Sequence, residues 1–311
     1  MQGGKIMGDA KSEREIAGII PILPAPFDED ERLDIGSFRN VIETQVRHGA
    51  HGVALFGLVT EYYKLSDEER LTLAREAVRA VDGRLPLVIS VTEHATRLAV
   101  AEARGYQDMG ADALMIMPPF FLGPGWENVR RHVEAVLEAV EISVILQYSP
   151  GQTGLGIDPQ ALAAISRDYP HLRYVKVECS PPGPYISRLG EVSGGLLRSF
   201  VGYAGLQMLD ALERGAAGVM PSTPLTEVYR AIYDAYAAGD AKRAAALHAR
   251  LIPLINVMMQ TVEMVIAADK LLLKERGIIA SDRCRKPSFE LDGLTRRRIL
   301  SAFHEISDLL A

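Results

Sequence analysis

One lysine stands inside an apolar, β-branched run, Tyr174-Val175-Lys176-Val177-Glu178. On a strand, side chains alternate, so Lys176 shares a face with Tyr174 and Glu178 while the two valines share the other. If the valines pack on a helix layer, the amine points into an enclosed site. Burial there favours the neutral amine, which is the form that attacks a carbonyl group. A lysine that reaches solvent or pairs with Glu178 is the alternative interpretation of this pattern.

Two other segment ends carry groups with useful chemistry. Tyr148 ends the run Ile145-Leu146-Gln147-Tyr148, and a phenol beside an imine-forming lysine can move protons. A tyrosine that only caps the core fits the same pattern. The turn Gly57-Leu58-Val59-Thr60-Glu61 follows another apolar run, and a glycine-led turn presents backbone N–H groups to an anion such as a carboxylate. Glu61 is equally compatible with a charge at the start of a helix.

The elements that must position these groups alternate along the chain. Short apolar runs predict eight strands, and segments such as Asp34–His48, Ser66–Val81, Thr96–Met109 and Glu127–Val140 have helical periodicity between them. Alternating strands and helices indicate a parallel sheet, and eight units favour closure into a (β/α)₈ TIM barrel, whose sites lie at the carboxyl ends of the strands. The predicted strands are Gly18–Leu23, Gly52–Gly57, Leu85–Val91, Ala113–Met117, Ile142–Gln147, Tyr174–Glu178, Leu197–Gly202 and Ala217–Pro221.

The chain ends in helical segments without further strands. The first of them, Glu227–Ala238, closes the barrel, and Asp240–Met259, Glu263–Arg276 and Leu294–Leu310 follow it. We therefore predict a barrel over 17–238 and a C-terminal helical extension over 239–311 that covers one end or contributes to oligomer contacts. Residues 1–16 are polar and charged, and we expect a poorly ordered leader there rather than a signal peptide.

Composition excludes several classes of protein. The formal net charge of −6 over 311 residues argues against a nucleic-acid partner. No apolar run reaches the length of a membrane span, and two cysteines without a CxxC pair encode neither a zinc site nor a disulfide framework, which favours a cytoplasmic protein. The seven histidines do not supply three convergent ligands, so we expect neither a metal nor another cofactor. His48 and His51 straddle a helix end, and only His94 follows a strand closely.

These motifs together resemble the dihydrodipicolinate synthase/N-acetylneuraminate lyase family from about Gly18 to Leu291. The family's G-[TS]-T-G-E turn is similar to Gly57–Glu61, its P-Y-Y segment to Pro119-Phe120-Phe121, and its I-K-E strand to Val175-Lys176-Val177. Its Y-N-x-P-x-R-T-G segment resembles Tyr148–Gly154 if one residue is missing, and its G-V-I-S motif resembles Gly218–Ser222. The resemblance implies Lys176 as the imine former and Tyr148 as the proton shuttle. It also implies substrate contacts at Gly57, Leu58, Val59, Phe121, Gln152, Gly202 and Met220, and a homotetramer built as a dimer of dimers.

The sequence departs from the family pattern at four of these positions. Leu58 and Val59 replace two threonines that bind the pyruvate carboxylate in the synthase and start its proton relay. Phe121 replaces a tyrosine supplied across a subunit interface, and Gln152 replaces an arginine that clamps the second substrate. Loss of a bidentate charged partner removes selective binding, so a second substrate other than that of the synthase is expected.

We therefore expect a Schiff-base lyase that acts on pyruvate or a related 2-oxo acid, with a hydrophobic or aromatic aldehyde or a sugar acid as its partner. The sequence does not distinguish aldol cleavage, condensation and dehydration, because all pass through the same enamine. A non-catalytic 2-oxo acid binding protein on the same fold and a metal-dependent aldolase stay open as alternatives.

Overall fold

The computed structural model describes residues 14–310, and eight parallel strands organise them. Each strand lies within or close to its predicted run, because these apolar segments are the ones that can be buried on both faces. The strands are β1 (Gly18–Ile19), β2 (Val53–Leu55), β3 (Leu87–Val91), β4 (Ala113–Ile116), β5 (Ser143–Tyr148), β6 (Leu172–Val177), β7 (Arg198–Val201) and β8 (Gly218–Val219).

The sheet closes on itself. Its order is β1-β8-β7-β6-β5-β4-β3-β2, and Ile22, just beyond β1, forms bridges to both Ala54 in β2 and Ser222 beyond β8. The contact between β1 and β8 requires glycine, because a Cβ on Gly218 would lie 1.9 Å from the carbonyl oxygen of Gly18. The predicted (β/α)₈ barrel is confirmed.

Twelve helices are found in the described part of the chain, and most of them lie between successive strands or after the last one. Ser66 and Glu69 form a capping box, with both reciprocal bonds present at the start of the second helix. The helices are α1 (Ile35–Arg47), α2 (Asp67–Val81), α3 (Thr96–Met109), α4 (Trp126–Leu137), α5 (Pro150–Thr153), α6 (Pro159–Asp168), α7 (Gly183–Ser193), α8 (Met208–Glu213), α9 (Thr226–Ala237), α10 (Ala241–Met258), α11 (Val262–Glu275) and α12 (Gly293–His304).

Side chains alternate between two apolar layers along every strand. On β6, Tyr174 belongs to the interior cluster with Phe200 and Ile145, whereas Val175 and Val177 belong to the cluster between strands and helices. This confirms the predicted faces of the strand that carries Lys176, and it directs the lysine into the barrel.

The C-terminal extension covers the carboxyl ends of the strands. Helix α11 contacts the turn after β2 and the turn after β8, and it is buried along most of its length. By length and apolarity, no single helix of the described chain could cross a membrane. Only α10 and α11 taken together meet those criteria, and they are bent by 117° relative to each other.

Most of the predicted leader lies outside the described residues. Its last residue, Ile16, is fully buried, and its N–H donates to the hydroxyl of Tyr174 at 3.1 Å. Ile16 is therefore part of the apolar packing of the barrel interior.

Candidate active site

A pocket opens at the carboxyl ends of the strands, where the fold class places its sites. Including its open mouth, it holds about 580 Å³ of empty space. One part of its wall is polar and comes from β5, β6 and β7 and the loops after them, and the other is apolar and comes from the β2 turn and α11. It is lined by Ile22, Leu58, Val59, Gln152, Lys176, Glu178, Tyr203, Ala204, Met220, Pro221, Ser222, Met259, Val262 and Val265.

Lys176 and Glu178 are in contact at the base of this pocket. The lysine Nζ lies 3.1 Å from Oε1 of Glu178, and the side chains are 5% and 10% exposed. The amide of Gln147 donates to Oε2 of Glu178 at 2.6 Å, which fixes the carboxylate. The pairing with Glu178 that the sequence left as an alternative therefore occurs, and it occurs inside the pocket. This carboxylate is placed to accept a proton from the amine or from a carbon beside it.

Gly202 at the end of β7 makes room for that carboxylate. A Cβ at Gly202 would lie 2.3 Å from Oε1 of Glu178, so any other residue would displace the glutamate. Gly202 was predicted to contact substrate, but it is absent from the pocket lining. The side chain that packs against it is that of Glu178.

Tyr148 is not where the sequence interpretation placed it. It faces away from the barrel interior and packs in the outer apolar layer, where its ring stacks on Tyr185 with 4.2 Å between ring centroids. The prediction that Tyr148 approaches Lys176 is wrong. Adjacent residues of a strand face opposite sides, and it is Gln147, the residue before Tyr148, that faces Glu178 inside the barrel. If the segment is instead aligned with the family motif without a gap, Pro150, Gln152 and Gly154 match the proline, the arginine and the glycine of the motif. Gln147 then takes the position of the motif's tyrosine.

Tyr203 supplies a phenol that sequence reasoning missed. It lines the pocket from the loop after β7, with φ values of 49° for itself and 50° for Ala204. Such values are costly for residues other than glycine, and the Tyr229 hydroxyl holds the loop by donating to the carbonyl oxygen of Ala204 at 2.7 Å. Burial and the charge of Glu178 raise the pKa of Tyr203, and a hydrogen bond with Gln152 lowers it. Its position directly after a strand end was the only available signal.

The β2 turn forms much of the apolar wall. Leu58–Thr60 is a 3-10 turn that begins after Gly57, and Leu58 and Val59 line the pocket together with Met220. Thr60 does not face the ligand space, since its hydroxyl donates to the carbonyl oxygen of Leu23 at 2.6 Å. The turn therefore offers backbone N–H groups and apolar side chains.

Glu61 is a buried structural carboxylate rather than an exposed charge at a helix start. It adopts a left-handed conformation with φ of 57° and pairs with Lys270 of α11, both side chains being 0% exposed. Its second oxygen lies 3.2 Å from Nζ of Lys64. This ion pair ties the β2 turn to the helix that covers the pocket.

Phe121 lies outside the pocket of its own chain. It sits in the loop after β4, where its side chain is 74% exposed and that of Leu122 is 92% exposed. Its ring lies near that of His94, with 6.5 Å between ring centroids. Phe121 is absent from the pocket lining of the single chain, and its contact with substrate stays a prediction.

No group of three or more histidine, cysteine, aspartate or glutamate side chains in residues 14–310 is arranged to hold a metal ion. His94 faces Phe120, with 4.8 Å between ring centroids. His51 accepts a hydrogen bond from the N–H of Ile19 at 3.0 Å through Nδ1. These two histidines therefore have partners in the fold that are not metal ligands.

The described chain is thus a closed barrel of eight parallel strands with a buried amine–carboxylate pair at their carboxyl ends. The chain belongs to the dihydrodipicolinate synthetase family, which it matches over residues 15–305. It is accordingly an enzyme of the class I, Schiff-base-forming type.

Similar proteins carry more than one activity in their names. An L-2-keto-3-deoxyarabonate dehydratase of Azospirillum brasilense is 26% identical over 298 residues, 94% of this chain and 95% of that protein. A 4-hydroxy-tetrahydrodipicolinate synthase of Methanoculleus marisnigri is 31% identical over 245 residues, which are 78% of this chain and 83% of that protein. The dihydrodipicolinate synthase structure from Rhodopseudomonas palustris superposes with a TM-score of 0.86 at 25% identity, covering 93% of this chain and 97% of that one.

Proposed function

We propose that Lys176 forms an imine with a 2-oxo acid and that Glu178 moves the proton at C3 of the bound substrate. The observation that carries this proposal is the 3.1 Å contact between Nζ of Lys176 and the Glu178 carboxylate inside the pocket. Attack of the amine on the 2-oxo carbon and loss of water give the imine. The imine then makes the C3 proton acidic, because its electron pair is delocalised into the C=N bond as an enamine.

The position of Glu178 favours C3 over more distant atoms. C3 is separated from the imine nitrogen by C2 alone, whereas the oxygen on C4 is two atoms further along the substrate. A carboxylate in contact with the nitrogen therefore lies beside C3. Retro-aldol cleavage instead needs a base at the C4 hydroxyl, and the predicted tyrosine that would have served there is outside the pocket.

These relations support dehydration of a 2-oxo-3-deoxy-4-hydroxy acid. Glu178 accepts the C3 proton, the C4–O bond breaks, and the Tyr203 hydroxyl donates a proton to the departing oxygen. Hydrolysis of the conjugated imine releases a 2-oxo-3-enoic acid and regenerates Lys176, and the proton on Glu178 restores Tyr203. The net change is the loss of one water molecule. The dehydratase named among the relatives supports the same reaction class.

Aldol chemistry with an apolar aldehyde is the second candidate. The observation in its favour is the continuous apolar wall formed by Leu58, Val59 and Met259 together with Val262 and Val265 of α11. A pyruvate enamine on Lys176 would attack an aldehyde whose side chain packs on this wall. The neutral Gln152, in place of an arginine, fits a partner without a carboxylate at that end.

Hydrogen exchange and product analysis test the two candidates. In D₂O, the enzyme should exchange the methyl protons of pyruvate for deuterium, and NMR measures this exchange. Lys176→Met should abolish it. A panel of 2-oxo-3-deoxy sugar acids should then lose water without releasing pyruvate. Release of pyruvate and an aldehyde would favour the aldol reaction.

Binding of 2-oxo acids without exchange would indicate the non-catalytic alternative. Activity that is lost with EDTA but insensitive to borohydride would indicate the metal-dependent aldolase.

We also propose that the loop after β4 forms an interface between copies of the chain, in a homotetramer built as a dimer of dimers. Phe121 and Leu122 are the two most exposed large apolar side chains of the described residues, and exposed adjacent apolar groups are typical of contact surfaces. The double variant Phe121→Ser, Leu122→Ser should lower the mass measured by light scattering after gel filtration. An unchanged mass would contradict the assignment of this loop.

A further inference from the structure

A second carboxyl group lies next to the pocket on the helix that covers it. Val262 and Val265 of α11 line the pocket, and Asp269 continues their stripe at the next positions of the same helical face. Asp269 is 1% exposed. Asp269 takes no part in the imine chemistry proposed for Lys176.

Asp269 reaches the pocket through Ser222. The two side-chain oxygens, Oγ of Ser222 and Oδ1 of Asp269, are 2.9 Å apart, and Ser222 lines the pocket beyond the end of β8. The other oxygen, Oδ2, is buried and has no hydrogen-bond partner among the described residues. An ionised carboxylate with one hydrogen bond in an apolar site is costly, so the neutral acid is favoured.

The protonation of Asp269 decides how Ser222 meets a ligand. Two oxygens at hydrogen-bond distance share one hydrogen. When Asp269 is a neutral acid, it supplies that hydrogen, and Ser222 is free to donate its own into the pocket. When Asp269 is ionised, Ser222 must donate to it and offers the ligand only lone pairs. Burial raises the pKa of Asp269 to about 8, although the bond to Ser222 acts in the opposite direction.

Ser222 lies on the side of the pocket where a substrate carboxylate is expected. Its strand neighbour Ile22 pairs with both Ser222 and Ala54, and Gly57 packs against the Ile22 side chain. Ser222 is therefore one strand away from the β2 turn. The two side chains of that turn that line the pocket, Leu58 and Val59, donate no hydrogen bond.

We propose that Asp269 is a positioning residue that holds the Ser222 hydroxyl as a hydrogen-bond donor to the carboxylate of the 2-oxo acid. Ser222 thereby supplies the hydroxyl that the β2 turn lacks. This inference rests on the proposed imine chemistry at Lys176. It assigns the recognition of the acid end of the substrate to a helix outside the barrel strands.

The other ionisable groups around Asp269 are already engaged. Burial and, after it, the charge of Asp269 raise the pKa of Tyr229 of α9. The Tyr229 hydroxyl donates to the carbonyl oxygen of Ala204. Lys270, the next residue of α11, is paired with Glu61 of the β2 turn. At the far end of α11, Glu275 faces His304 of α12 and Lys274 pairs with Asp282. On α10, Arg250 pairs with Asp308 beyond α12. Ionisation of Asp269 is therefore expected to act on the pocket through Ser222.

The test is the pyruvate concentration that half-saturates borohydride trapping, measured from about pH 6 to about pH 9.5. Ser222→Ala should raise this concentration about tenfold at the acidic end, which corresponds to loss of one hydrogen bond to a charged group. That difference from the wild type should shrink above about pH 8. Asp269→Asn keeps a neutral donor beside Ser222, so it should resemble the wild type at low pH and bind more tightly than the wild type at high pH. Ser166→Ala, at a buried serine of α6, is the matched control. It should change neither the half-saturating pyruvate concentration nor its dependence on pH.

The comparison of variants at each pH removes any pH effect that all of them share. If Asp269→Asn does not fold, judged by thermal unfolding, the pH dependence of the wild-type to Ser222→Ala ratio tests the same point. A Ser222→Ala enzyme with wild-type half-saturation, or a ratio that does not change with pH, would overturn the inference while trapping persists. Loss of trapping in the wild type at every pyruvate concentration would instead contradict the imine proposal.

Discussion

Two of the buried lysine–glutamate pairs in the described part of the chain differ in their surroundings. Lys270 and Glu61 are 0% exposed, and both ions have further partners. Lys270 also donates to the carbonyl oxygen of Arg283 at 3.1 Å and lies 4.2 Å from the ring centroid of Phe27. Burial lowers the pKa of Lys270, and Glu61 opposes that effect. This pair has no room for a ligand, and it connects α11 to the β2 turn.

Lys176 and Glu178 form the second pair, which borders open space. Its side chains are 5% and 10% exposed, and both line the pocket. The comparison teaches that residue type and burial alone do not identify a reactive lysine. What separates the two is whether a carbonyl compound can reach the amine, and only the pair at the ends of the strands is accessible.

The largest effect is expected for Glu178→Gln. It should lower kcat by about 10²–10⁴-fold, the usual contribution of a positioned base, while borohydride trapping of pyruvate on Lys176 persists. Steady-state kinetics and trapping on the same preparation measure both. Glu191→Gln, at an exposed glutamate of α7, is the control and should behave as the wild type. A Glu178→Gln enzyme with full kcat would remove the base from the mechanism.

Lys270→Met should act on stability rather than on chemistry. Removing one partner leaves the Glu61 carboxylate buried with incomplete compensation, so we expect the free energy of unfolding to fall by about 3–5 kcal/mol. Urea denaturation measures it. Lys176→Met should cost less than half as much, because Glu178 keeps its bond to Gln147. Equal losses for the two variants would show that the pairs are equivalent.

A smaller effect is expected for Tyr203→Phe. Loss of the proposed acid should lower kcat for dehydration by about tenfold, below the usual range because water can replace the phenol in an open pocket. Tyr148→Phe deletes the same hydroxyl from a ring that packs outside the pocket, and kcat should stay within about twofold of the wild type. Rate measurements that reverse this order would restore Tyr148 as the proton shuttle.

The sequence was sufficient for the fold because each strand is a short run that is apolar on both faces, and few other architectures bury eight such runs. It was also sufficient to direct Lys176, the one lysine in a strand between two valines, into the barrel, where it lines the pocket. It failed for Tyr148, because a shift of one residue in a motif moves a strand side chain to the opposite face. Tyr203 and Asp269 were not predictable, since their positions depend on a strained loop and on how α11 packs over the barrel.

Borohydride reduction in the presence of pyruvate, followed by peptide mass spectrometry, tests the central claim most directly. We predict a reduced pyruvyl adduct on Lys176 and none on Lys270, because only the first amine can meet a carbonyl group. Lys176→Met should give no adduct while retaining the folded barrel. An adduct elsewhere, or none in the folded wild type with pyruvate or with longer 2-oxo acids, would contradict the assignment of Lys176 as the imine former.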